Sequence, residues 1–112
     1  MTQETMNYVA VAAVSDLREG FLSAHEVEGR AVVIATTADG IHVYDGTCPH
    51  SDFQFGHARL RRGCEVECQM HGARFRADAT GAVTKGPAKE PLQVLESRVI
   101  DGVVEVLVDW LC

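Results

Sequence analysis

The sequence predicts an all-β fold. Apolar, β-branched runs of strand length recur along it, first at NYVAVAAV (7–14) and then at RAVVIATT (30–37). Asp-Gly dipeptides, which favour tight hairpin turns, stand at 39–40 and 101–102 between runs of this kind. The only helical candidate is short, around Ser15 to Gly20. Strands joined by hairpins are therefore expected to build the core.

The predicted strands fall into two blocks with a different segment between them. The first block closes with IHVYDG (41–46), and the second, PLQVLESRVIDGVVEVLVDW (91–110), has two alternating strands around Asp101-Gly102. Residues 46–87 are rich in glycine, with short strand candidates near CEVEC and ARFRA. This stretch is typical of an insert whose shape is fixed by something other than a large core, and a bound metal centre is one candidate.

Size and charge narrow the function classes. The 112 residues predict one domain, too small for a catalytic domain plus a cofactor domain. The start, MTQETMNYVA, has neither a basic region nor a long apolar run, so we expect no signal peptide and no membrane helix. A net charge of −6 without a basic stripe argues against a nucleic-acid partner. We therefore expect a cytoplasmic protein, whose four cysteines favour metal ligation over disulfides.

Two Cys–His pairs are the candidate metal ligands. Cys48 and His50 are separated by one residue, and Cys68 and His71 by two. Thiolate and imidazole suit zinc or an iron–sulfur cluster, and not calcium or magnesium. Zinc knuckles usually have at least two residues between ligands, whereas residues two apart in an extended loop lie roughly 6–7 Å apart. The spacing favours two metal atoms, and a structural zinc module remains the alternative.

The ligand pattern closely resembles the Rieske signature, Cys-x-His followed by Cys-x-x-His. The resemblance continues in YDGTCPH, FGHARLRRG, ARFRADATGAV and KGPA, and it is strongest to the small Rieske-type ferredoxins of aromatic-ring dioxygenase systems. It implies three antiparallel sheets, with a cluster-binding subdomain (about 46–87) inserted in a basal β domain (1–45 and 88–112). It also implies one 2Fe–2S cluster, whose inner iron is bound by Cys48 and Cys68 and whose outer iron is bound by His50 and His71.

The resemblance implies a one-electron carrier and not an enzyme. A flavin-dependent ferredoxin reductase would supply the electron and a terminal Rieske oxygenase would receive it, with the chain acting as a monomer. An oxygenase would need a further iron site of two histidines and a carboxylate, for which the chain has no room. A Rieske-like small subunit of nitrite reductase is the alternative.

Residues around the ligands carry further expectations. Cys64 alternates with Cys68 along a predicted strand, which indicates a buried thiol, and Cys112 is expected to be a free thiol. Gly46 and Gly72 are expected to allow turns beside the ligands. Residues 46–86 carry a net charge of +2 against −8 elsewhere, a candidate electrostatic dipole in which the arginines at 59, 61 and 62 would steer docking; scattered solvated side chains are the alternative.

The absence of two hydroxyl groups predicts a low reduction potential. Respiratory Rieske proteins have a serine and a tyrosine after the second histidine, where this chain has Ala73 and Phe75. Hydrogen bonds to sulfur stabilise the more negative reduced cluster, so their loss lowers the potential. Redox titration should give a value nearer about −150 mV than +300 mV, the two ends of the Rieske range. A clearly positive potential would contradict this prediction.

Overall fold

Three antiparallel sheets make up the protein, which confirms the predicted fold class. The computed structural model describes residues 8–47, 54–68, 72–86 and 90–108. The strands in these ranges are β1 Tyr8–Ala13, β2 Phe21–Val27, β3 Arg30–Thr37, β4 Gly40–Asp45, β5 Ala58–Arg59, β6 Glu65–Glu67, β7 Arg74–Arg76, β8 Val83–Lys85, β9 Ser97–Ile100 and β10 Val103–Leu107.

The strands pair in three orders. β4-β3-β2-β5 forms the middle sheet, β1-β10-β9 the outer sheet, and β6-β7-β8 the loop sheet. The short helix predicted around Ser15 to Gly20 is a single 3-10 turn, Val14–Asp16. No helix in the described ranges is long and apolar enough to cross a membrane.

Two-residue hairpin turns set the register of the sheets. Asp101-Gly102 joins β9 to β10 with positive φ at both residues, as a type I′ turn requires. Glu28-Gly29 joins β2 to β3 in the same way, although its sequence carries no strong turn signal. In the hairpin of β3 and β4 the paired residues are Thr37 and Gly40, so the predicted turn falls one residue earlier than the Asp-Gly dipeptide.

The core has two parts because the middle sheet is covered on both faces. Along β3, Val33 and Ala35 face one hydrophobic cluster, which they share with the loop sheet. Val32 and Ile34 face the other cluster, which they share with the outer sheet. All four side chains are almost fully buried, which explains the unbroken apolar run of this strand.

Tyr44 fixes the loop sheet to the middle sheet. Its side chain is fully buried, and its hydroxyl donates a hydrogen bond of 2.5 Å to the main-chain carbonyl of Asp78. Burial, and then the nearby Asp78 carboxylate, raise the pKa of this phenol well above its usual value of 10.0. Tyr44 therefore stays protonated and able to donate to the turn between β7 and β8.

Gly46 lies where two segments of backbone come into close contact. Its N–H donates to Ala31 O and its carbonyl accepts from Phe55 N–H, both at 2.8 Å. A Cβ atom at this position would lie 2.8 Å from the carbonyl carbon of Ala31. Gly46 lies in a bend but does not have positive φ, so it is the close packing that requires a glycine here.

Replacing Gly46 with alanine should destabilise the protein. The added methyl group has to displace main-chain atoms, which costs about 1–3 kcal/mol as overpacking does elsewhere. Thermal unfolding followed by circular dichroism should show a lower Tm for Gly46→Ala. Gly56→Ala is the matched control, because a Cβ at Gly56 meets nothing within 4 Å. Equal Tm values for the two variants would contradict the packing argument.

Candidate metal centre

The segment that contains Cys48 and His50 is closed at its base. Thr47 and Gln54 form an isolated β-bridge, and Gly46 and Phe55 are joined by the hydrogen bond given above. Residues 48–53, with both candidate ligands, lie outside the described residues. The two ends of this segment are thus held together by main-chain bonds.

Asp45 fixes the start of the same segment. Its carboxylate accepts a hydrogen bond from Thr47 N–H at 2.9 Å and forms an ion pair with Arg30 at 2.5 Å. The Asp45 side chain is only 14% exposed, so this pair is better shielded from solvent than the exposed ion pairs of the protein. The carboxylate thereby ties the end of β4 to the start of β3.

The segment after Cys68 is closed in the same manner. Cys68 N–H donates to Ala73 O, and Cys68 O accepts from Gly72 N–H, both at 2.8 Å. Gly72 has φ +74°, a conformation that favours glycine, so its expected turn role is confirmed. His71 lies outside the described residues, between these two bonded positions.

The bases of the two segments meet in one core. Cys68 is fully buried and shares a hydrophobic cluster with Phe55, Ala73 and Phe75. The rings of Phe55 and Phe75 pack edge to face with their centroids 6.5 Å apart. Phe55, just after the first segment, and the buried thiol of Cys68, at the start of the second, thus pack in the same core. A buried thiol beside the bonded ends of two such segments suits a soft metal centre.

The prediction of a buried thiol at Cys64 is wrong, because this side chain is exposed. Cys64 does not belong to β6 but to a tight turn in which Arg61 O accepts from both Cys64 N–H and Glu65 N–H. Arg62 and Gly63 have positive φ within that turn. Strand alternation begins only at Glu65, so it does not carry back to Cys64. Cys112 lies outside the described residues.

A pair of histidines beside the first segment was missed by the sequence analysis. His57 Nδ1 accepts a hydrogen bond of 3.0 Å from the main-chain N–H of Ala24 in β2. Its ring lies edge to face with that of His25, with a centroid separation of 6.2 Å. No sequence pattern links these residues, because the contact depends on how β5 pairs with β2.

A small iron–sulfur protein that transfers electrons is the class consistent with this fold and these loops. A family model described as the Rieske [2Fe-2S] domain matches residues 7–96, and the chain belongs to this family. It accordingly has one Rieske-type 2Fe–2S cluster, a centre that takes up and gives up single electrons.

Curated relatives are ferredoxins of oxygenase systems. The ferredoxin component of the alkene monooxygenase system of Xanthobacter autotrophicus is 28% identical over 89% of this chain and 80% of its own length. The anthranilate 1,2-dioxygenase ferredoxin subunit of Burkholderia cepacia is 27% identical over 95% of this chain and 97% of its own length.

Solved structures show the same fold. A chain in a complex of reduced oxygenase and oxidised ferredoxin from carbazole 1,9a-dioxygenase matches with a TM-score of 0.79 and 27% identity, over 92% of this chain and 94% of that chain. A structure described as a nitrite reductase (NADPH) small subunit matches with a TM-score of 0.70 over 92% of this chain and 100% of that chain, but at 17% identity it shows the fold alone.

His25 should titrate below its usual range. Burial of the imidazole, and then the neighbouring His57, lower the pKa of His25 from 6.5. The unfolded chain then binds this proton more tightly than the folded one, so its contribution to stability is present above about pH 6.5 and is lost as the pH falls through the folded pKa. Proton NMR of the oxidised protein should place the His25 midpoint below that of the denatured chain. An equal or higher midpoint would contradict the prediction.

Proposed function

We propose that this protein is the ferredoxin component of an aromatic-ring dioxygenase system. It accepts one electron from a flavin-dependent ferredoxin reductase and passes it to a terminal Rieske oxygenase. The observation that carries the proposal is the Rieske domain, which the family model matches over residues 7–96. The near full-length likeness to ferredoxins of oxygenase systems supports the same role.

The ligands of the cluster are, on this proposal, two cysteines and two histidines. Cys48 and Cys68 would bind the inner iron, and His50 and His71 the outer iron, within a cluster-binding subdomain of residues 46–87. The basal domain would comprise residues 1–45 and 88–112. The burial of Cys68 and the hydrogen bonds that close both segments support this arrangement.

The proposed ligand set accounts for transfer of single electrons. Two ferric ions, two sulfides and two thiolates sum to zero charge with neutral histidines, and one added electron gives a charge of −1. The buried Cys68 would keep its thiolate away from solvent, and the main-chain hydrogen bonds at the ends of both segments would limit movement of the ligands during the exchange. A cytoplasmic location and a monomeric state complete the proposal.

Two cysteine variants test the ligand assignment. Cys68→Ser should lose the cluster, because serine is a poor substitute for a thiolate ligand of iron. Iron and acid-labile sulfide analysis, with visible absorption, should show loss of both irons. Cys64→Ser is the matched control, since this exposed thiol lies four residues away in a turn and should leave two irons per chain. Full iron content in Cys68→Ser would refute the assignment.

Reconstitution tests the function itself. The purified holoprotein is mixed with a candidate flavin-dependent reductase and its terminal oxygenase, and electron transfer is followed by stopped-flow absorption. Reduction of the ferredoxin, followed by its reoxidation when oxygenase is added, is expected, with product formation dependent on the ferredoxin. Permanent association with a nitrite reductase catalytic subunit, and no exchange with free oxygenase, would favour the alternative.

A further inference from the structure

Among the described residues, five arginines are paired with acidic side chains and three are not. The five ion pairs of the described residues use arginines 30, 61, 74, 76 and 98. Within those same ranges Arg18, Arg59 and Arg62 are exposed and have no carboxylate within ion-pair distance. Unpaired guanidinium groups are unexpected in a chain with 16 acidic and 10 basic residues. Where they lie therefore bears on what the surface binds.

Two of the three unpaired arginines converge on one open pocket. The pocket has a volume of about 300 Å³ and a largely apolar lining that includes Leu17, Phe21 and Ala58, with Arg18 and Arg59 beside them. Arg62 is not among the residues that line it. The volume lies at the lower end of the range for ligand sites and suits one large apolar side chain.

The backbone holds both arginines next to Phe21. Arg18 O accepts a hydrogen bond from Phe21 N–H at 3.1 Å, which closes a turn with Gly20 at φ +88°. Arg59 is the direct cross-strand partner of Phe21 in the pairing of β5 with β2. Directly opposed residues of an antiparallel pair place their side chains on the same face of the sheet. The placement of the arginines thus follows from the fold.

Stacking prepares both guanidinium groups to bind an anion. The Arg18 and Arg59 guanidinium carbons lie 4.7 Å and 5.4 Å from the centroid of the Phe21 ring. Such contacts orient the planar groups and are favourable in themselves. A guanidinium held over an aromatic ring can still direct N–H donors at a carboxylate, and its position is already restricted before binding.

We propose that this pocket is a docking site for an acidic segment of a redox partner, with one apolar side chain in the pocket and carboxylates on Arg18 and Arg59. The inference rests on the proposed function, which supplies the partner. Most of the surface would repel an acidic protein, since the chain carries a net charge of −6. An acidic partner is therefore attracted at the unpaired arginines. Asp16 also lines the pocket and disfavours carboxylates on its own side.

The site lies at the junction between the two proposed parts of the molecule. Arg18 and Phe21 belong to the basal part, whereas Arg59 belongs to the segment between the two ligand pairs. Leu22 also lines the pocket and is a member of the core cluster that contains Cys68. A segment bound here adjoins the core that contains Cys68, so it can orient the partner relative to that core.

The test compares binding of the holoprotein to its reductase and to its oxygenase. The Arg18→Gln/Arg59→Gln double variant should bind at least one partner on the order of tenfold more weakly, a loss of about 1.4 kcal/mol, because exposed ion pairs are individually weak. Arg98→Gln is the matched control, because this exposed arginine also lies over an aromatic ring, that of Tyr8, but belongs to the outer sheet, pairs with Glu105 and does not line the pocket. It should change Kd by less than about twofold.

A variant without a charge change separates docking from general electrostatics. Phe21→Leu keeps the pocket apolar but removes the ring on which the arginines stack, and it should also raise Kd for the same partner at both low and high salt. Visible absorption and Tm verify that each variant is folded with its cluster. Unchanged Kd values for both partners in the double variant, with an active wild type, overturn the inference alone.

Two further outcomes would also overturn the docking proposal. If the wild type binds neither partner and transfers no electrons, the proposed function fails, and this inference fails with it. Analytical ultracentrifugation of the wild type tests the other occupant of the pocket. A dimer that the double variant abolishes would assign the pocket to a second copy of the chain and overturn the partner proposal.

Discussion

The rest of the structure depends on the burial of the middle sheet from both faces. β3 is one of its two interior strands, and its successive side chains lie in two separate cores, so neither the outer sheet nor the loop sheet can shift without exposing apolar surface of this strand. The loop sheet consists of three-residue strands that would be too short to be stable alone. Its position is set by packing on the middle sheet and by the bond from Tyr44 to the backbone of Asp78.

This support determines what the ligand segments can do. Each segment starts and ends at residues joined by main-chain hydrogen bonds, and both bases lie on the same core around Phe55, Cys68 and Phe75. An electron carrier gains from ligands that move little between the two charge states, because reorganisation slows transfer. The rigidity comes from the sheets, whereas the redox chemistry comes from the four proposed ligands. The residues that form the sheets and the residues proposed as ligands are therefore different ones.

The sequence predicted the strands whose patterns are local and missed those that depend on distant contacts. β3, β4, β9 and β10 have β-branched runs and Asp-Gly signals, whereas β2 contains Ser23, His25 and Glu26 and ends at a Glu-Gly turn with no strong preference. Its identity as a strand comes from pairing with β3. β5 has only two residues and exists because β2 is beside it.

For the site as well, the sequence predicted some features and missed others. The turn at Gly72 could be predicted because it follows from the loop spacing, and membership of the family followed from the ligand motif. The exposure of Cys64 could not, since it depends on positive φ at Arg62 and Gly63. The role of Gly46 depends on Ala31, fifteen residues earlier, and the contact of His57 with Ala24 spans a still longer stretch.

The imidazole of His57 has a consequence for solubility. β5 covers β2 only as far as Leu22, so the next donor along that edge, the N–H of Ala24, would be open to a strand from another molecule. His57 Nδ1 accepts the hydrogen bond from this N–H group. Because the acceptor is a side chain and not a strand, it offers no main-chain groups with which another strand could pair. The protein thereby ends its central sheet without a long covering strand, and edge-to-edge aggregation through β2 is discouraged by a single ring.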